Sequence, residues 1–90
     1  SEYFSVVTDM KGLAAEPDVK KLSPEQIRER LRRRFDVSYV ESVKPQDIKI
    51  HRNNGVELQI AYEVRRPLMY NLDFVAKFDK TVELGGSNVE

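Results

Sequence analysis

Cysteine and tryptophan are absent from this 90-residue chain, histidine occurs once, and glycine and proline occur four times each. Without cysteine there is no disulfide framework and no thiolate metal site. The single histidine, His51, has no second histidine to share a metal and no thiol to activate. The only adjacent glycines, Gly85-Gly86, stand near the end of the chain, and no glycine-rich phosphate loop follows a predicted strand. There is no apolar run of about 18 residues, so these residues do not themselves cross a membrane as a helix. The chain opens at Ser1-Glu2-Tyr3-Phe4 with neither methionine nor a signal-peptide pattern, and an upstream segment is therefore expected.

An excess of either charge is missing too, with fifteen basic and fifteen acidic side chains. The balance holds in total but not in place. Between Lys20 and Arg34 seven basic residues stand against only Glu25 and Glu29. Such a dipolar domain suits an anionic surface on one side. What remains is ordinary globular composition, 40% apolar and 33% charged, enough for one small core. We expect one domain over residues 1–90, with 85–90 a polar tail.

Tyr3, Val6, Val7, Met10, Leu13 and Ala14 recur at helical spacing, and Phe4 falls off that stripe. Pro17 stops this helix, and residues 16–22 read as a linker. Ser23 then offers an N-cap, Pro24 suits the first helical position, and Gln26 completes a capping box. Leu22 and Ile27 stand where a hydrophobic staple would clasp the helix start. Ile27, Leu31 and Phe35 form one apolar face, so a second helix is predicted from Pro24 to about Phe35. Residues 36–44 fit either a helical turn or a short edge strand.

Beyond Pro45 the apolar period becomes two. Ile48 and Ile50, then Val56 to Val64, then Leu72 to Leu84 alternate with polar residues, as strands with one covered face do. Asn53-Asn54-Gly55 fits a three-residue hairpin loop with Gly55 at positive φ. That loop sets Ile50 opposite Leu58 and Ile48 opposite Ile60. A loop over residues 67–71 would set Val64 opposite Phe74 and Arg65 opposite Asp73. The predicted covered face carries Ile48, Ile50, Leu58, Ile60, Tyr62, Phe74 and Phe78. The fold expected is α+β: two N-terminal helices packed on one face of a three-stranded antiparallel meander, with a fourth short edge strand left open.

Candidate chemistry is thin. His51 falls on the polar face of its strand. Asp73 and Asp79 alternate with Lys77 in the manner of a solvated strand, not of paired carboxylates in a cleft. Ser5, Ser23, Ser38 and Ser42 have no visible base. No catalytic residue, cofactor or metal ligand is assigned, and an enzyme is not expected.

The arginines of the stretch RERLRRRF are the other feature. At about 100° per residue, Arg28 and Arg32 lie beside the apolar face, Arg33 near the back, and Arg30 and Arg34 on the far flank. Glu29 stands three and four positions before Arg32 and Arg33, the favourable order for helix ion pairs. Arg32 to Arg34 also meet the negative end of the helix dipole. A solvated helix face explains most of the run. Arg28, Arg30, Arg32, Arg33 and Arg34 remain candidate contacts for an anionic lipid surface or an acidic protein. Specific nucleic-acid binding is not expected, because no recognition motif accompanies them.

Three stretches together resemble one family: EYFSV at Glu2–Val6, LSPEQIRERLRRRFDVSYVESV at Leu22–Val43, and YEVRRPL followed by FDKTVEL. They are similar to the uncharacterised proteobacterial domain of unknown function 4845. The resemblance implies a basic N-terminus, one membrane span and a small domain after it. Tyr3 and Phe4 would then lie just beyond the span, and the positive-inside rule would place the domain in the periplasm, tethered to the inner membrane. It implies no catalytic residues. The expected role is a non-enzymatic binding or scaffolding module of the cell envelope, with another envelope protein or an anionic lipid surface as partner. The alternative is a pilin- or pseudopilin-like subunit that assembles through its N-terminal helix. Oligomeric state is left open.

Overall fold

The computed structural model describes residues 1–86. Helix α1 spans Glu2–Ala14, with the Ser1 hydroxyl accepting from the Phe4 amide. Its buried face is Val6, Asp9, Met10, Leu13 and Ala14. Helix α2 spans Pro24–Ser38 and buries Ile27, Leu31 and Phe35. Its predicted capping box forms: the Ser23 hydroxyl accepts from the Gln26 amide at 3.2 Å, and the Gln26 side chain accepts from the Ser23 amide at 2.9 Å.

Helix α2 runs one turn further than its apolar stripe. Asp36 is held by Arg32 four residues earlier, and the Ser38 hydroxyl donates to Asp9 of α1. Tyr39 then enters the left-handed region at φ 59°, and the Val40 amide returns to the Phe35 carbonyl. That ending closes the helix with a non-glycine residue. Residues 40–44 are irregular and form no fourth strand.

Strands β1 (Ile48–Arg52), β2 (Val56–Pro67) and β3 (Asp73–Glu83) form one antiparallel sheet in chain order. The predicted α+β meander is thus the observed fold. The first hairpin has the expected register, Ile48 opposite Ile60 and Ile50 opposite Leu58. Gly55 has φ 128°, and Asn54 joins it at positive φ. A β-branched residue at either position would be strained.

The second hairpin differs from expectation by two residues. Val64 faces Ala76, Arg66 faces Phe74, and Pro67 faces Asp73, so the loop is Leu68–Leu72. The Leu68 amide bonds to the Leu72 carbonyl and the Leu72 amide to the Met69 carbonyl, which closes that loop on itself. A slip of two keeps every side chain on its face, so alternation alone does not detect it. Its effect is to lengthen the ribbon. Phe74 was expected on the covered face but is 51% exposed, because β2 and β3 run past the helices there.

The core joins both helices to the sheet through Val6, Met10, Leu13, Ile27, Leu31, Leu58, Ile60, Val82 and Leu84. The expected linker contributes Val19 and Leu22 to it through a one-turn helix at Val19–Lys21. Gly85, expected in the tail, donates its amide to the Ala14 carbonyl and ties the end of β3 to α1. Residues 87–90 of that expected tail lie outside the described residues.

Candidate functional site

The five arginines of α2 are engaged within the chain. Arg30 grips Asp18 with two nitrogens at 2.8 and 2.9 Å and reaches Glu16 at 2.6 Å. Arg34 meets the other oxygen of Glu16 at 2.7 Å. Arg32 bridges Glu29 and Asp36, and Arg33 shares Glu29. Arg28 donates to the Pro45 carbonyl at 3.0 Å. Four of the five arginines therefore face carboxylates supplied from before the helix as well as from within it, and Arg28 meets a carbonyl.

Gly12 leaves room for this arrangement. A side chain there would collide with the Arg34 guanidinium, which lies across α1 on its way to Glu16. The electrostatic consequences follow the contacts. Hydrogen bonds from Arg32, then Arg33, lower the Glu29 carboxyl to about 2. Burial pushes Glu16 up, but hydrogen bonds from Arg34 and Arg30 outweigh it and leave the carboxyl below its ordinary value. Asp18 is lowered by its hydrogen bonds with Arg30.

An apolar groove of about 310 Å³ opens beside these residues. Phe35, Val40, Val43 and Ile48 line it, and Arg28 and Arg32 stand at its rim. Arg32 is committed to Glu29 and Asp36, so its charge is already compensated where a ligand would enter.

A second region gathers around the first turn of α1. Tyr3 stacks on Phe78, which also meets Tyr62 at 5.1 Å between ring centroids. The Glu2 carboxylate accepts the Glu41 and Ser42 amides at 2.7 and 3.1 Å, holding the segment after α2 against α1. Burial raises the Glu2 carboxyl, yet hydrogen bonds from the Ser42 side chain and these amides bring it below its ordinary value. Burial, and then the Glu2 charge, push the Tyr62 hydroxyl up to about 12. Phe4 points away from all of this and is 71% exposed. Tyr3 is thus a packing residue at the aromatic end, and Phe4 its exposed neighbour.

Asp9 was not singled out from sequence. It is 7% exposed, with one oxygen accepting from Ser38 and the other buried without a protein hydrogen bond. Its signal lay in its position, three residues after Val6 and on the same helical face. His51, by contrast, is exposed on the outer sheet face. It donates to Gln59, and Gln59 donates to Asp79, a polar chain across three strands. Among the described residues no three metal-ligating side chains gather, and no helix is long and apolar enough to cross a membrane.

Two capped helices on a three-stranded antiparallel meander define a small α+β domain whose charged clusters are internally paired. The chain belongs to the family described as Domain of unknown function (DUF4845), whose model matches residues 1–78. No curated protein and no solved structure matches it.

Proposed function

We propose that this chain is a non-enzymatic binding or scaffolding module of the cell envelope, tethered at the periplasmic face of the inner membrane ahead of α1. The observation that carries the reading is the aromatic end of the molecule. Phe4 stands exposed on the first turn of α1, beside the Tyr3–Phe78 stack. Aromatic rings favour the membrane–water interface, where one edge is apolar and the other wet. The pairing of Arg30 and Arg34 with Glu16 and Asp18 supports the non-enzymatic half, since it compensates their charge within the chain. Another envelope protein or the anionic lipid surface is the partner this reading expects.

The test is localisation of the full-length protein. It should fractionate with membranes, and alkaline phosphatase fused to its C-terminus should be active, as it is only in an oxidising compartment. Recovery in the cytosolic fraction with an inactive fusion refutes the reading. The second reading, a pilin-like subunit, draws on the way α1 packs along the antiparallel sheet and reaches β3. It requires peptidase processing after an upstream glycine, and an unprocessed N-terminus counts against it.

A further inference from the structure

Most of the large apolar side chains exposed among the described residues gather in one place, with Phe4, Val37 and Tyr39 lying elsewhere. Leu68, Met69, Tyr70, Leu72 and Phe74 are each more than half exposed, and Tyr70 is 98% exposed. They occupy the loop and outermost rungs of the β2–β3 hairpin, which projects beyond the helices in a molecule 50 Å long and 26 Å wide. Exposed apolar clusters of this kind mark contact surfaces. We propose that the Leu68–Leu72 loop, with Phe74 behind it, is a lipid-inserting tip that seats in the headgroup layer of a phospholipid bilayer.

Three observations select a bilayer over a protein. The first is area. A protein partner would have to enclose this projecting loop on every side to approach the roughly 800 Å² per partner that a standard interface buries, so neither a second copy nor another protein is held by one face of the tip alone. A bilayer sets no such threshold.

The second is the order of chemistry along the ribbon. Residues 67–72 carry no charge, and Arg65 and Arg66 follow immediately behind them. At about 3.3 Å per residue, the two arginines stand roughly 7–10 Å behind the loop. That matches the depth to which interfacial elements bury their apolar face, and it sets the guanidinium groups level with lipid phosphates. Asp73 faces Pro67, one residue behind the loop and nearer the tip than the arginines. Arg65 stands between its carboxylate at 3.5 Å and that of Glu63 at 3.6 Å, so Arg66, which donates to the Arg65 carbonyl, is the guanidinium offered to phosphate. The third is shape. Tyr70 takes the left-handed conformation at φ 58° with its side chain almost fully exposed, while two backbone hydrogen bonds close the loop. The tip is preformed, so little ordering entropy is lost on insertion.

This inference needs only the hairpin and stands or falls separately from the tether. The absence of tryptophan makes the test direct. Tyr70→Trp places the only indole at the tip, and Asn53→Trp places it in the opposite hairpin loop. The probe is a vesicle of phosphatidylethanolamine with phosphatidylglycerol. The Tyr70→Trp emission should shift to the blue and be quenched by brominated lipid, most strongly when the bromines lie near the headgroup end of the acyl chain. The Asn53→Trp emission should do neither. Adding Leu68→Asn and Leu72→Asn should weaken partitioning at least about tenfold, since burial of one leucine is worth about that factor. Unchanged circular dichroism and thermal midpoint would show that the fold is intact. An unshifted Tyr70→Trp spectrum overturns the proposal. So does a blue shift that grows with protein concentration in the absence of lipid, which would assign the tip to a second copy. Either failure leaves the fractionation test of the tether unaffected.

Discussion

The ring of Tyr3 lies flat on that of Phe78, with centroids 4.6 Å apart and planes 19° apart. This contact fastens the first turn of α1 to the middle of β3, beside the stem of the projecting hairpin. Stacked aromatic pairs are worth about 0.5–1.5 kcal/mol beyond the area they bury. A double-mutant cycle of Tyr3→Ala and Phe78→Ala should therefore give a coupling of about 1 kcal/mol in urea unfolding. Additive losses would mean that each ring packs independently.

Leu31 is fully buried at the centre of α2's apolar face. Leu31→Ala should cost roughly 2–4 kcal/mol by leaving a cavity between helix and sheet. The Ser23 cap is a separate, smaller term, and Ser23→Ala should cost about 1 kcal/mol. The two sites share no partner, so their effects should add. Equal midpoints for wild type and Ser23→Ala would remove the cap from the account.

The contrast between Leu31 and Phe74 shows what the sequence could reveal. Leu31 lies on a stripe with Ile27 and Phe35, and a helical stripe can turn only one way toward a core. Phe74 lies on an equally regular alternation, yet alternation says which face a residue occupies and not whether anything covers that face. Coverage depended on the hairpin register, and a slip of two residues leaves the pattern intact. Val19 was hidden for the opposite reason. One apolar residue among Asp18, Lys20 and Lys21 has no period, and only the fold brings it to the core. The arginine partners divide the same way. Glu29, within the helix, could be read from spacing, whereas Glu16 and Asp18 required knowing how the 16–22 segment returns along α2.

Acid should destabilise the domain in a defined window. The Glu29 carboxyl is lowered from 4.5 to about 2 by Arg32 and Arg33. Glu2, Glu16 and Asp18 are lowered as well. A carboxyl whose folded pKa is depressed adds stability above its unfolded value and loses it as pH falls through the folded one. The urea midpoint should hold steady down to about 4.5 and then fall progressively toward 2. Tyr62 sets the alkaline limit with the opposite sign. Its pKa rises from 10.0 to about 12 on folding, so its contribution is complete below 10.0 and is lost as pH climbs toward 12. A midpoint that rises on acidification would contradict the first assignment, and spectroscopic titration of four tyrosines together near their ordinary value would contradict the second.

Whether RERLRRRF is a docking surface or a structural one depends on Glu16, which holds Arg30 at 2.6 Å and Arg34 at 2.7 Å. Its side chain is only 22% exposed, but both arginines are 35% exposed, so solvent screens the pairs. Glu16→Gln should cost about 1 kcal/mol, the upper end for pairs this accessible. In wild type the contribution should fade in about 1 M NaCl, where the Debye length is about 3 Å, and the variant should show no such fading. Glu16→Gln combined with Asp18→Asn also releases Arg30 and Arg34 from the carboxylates that neutralise them. That double variant should bind phosphatidylglycerol vesicles more strongly than wild type at low salt. The gain should vanish at physiological salt, where screening acts over about 8 Å. Increased binding would show that the protein's own acidic residues keep these arginines from anionic surfaces. Identical binding by the two proteins would mean that the arginines do not face lipid even when freed, leaving α2 a structural helix with a solvated basic face.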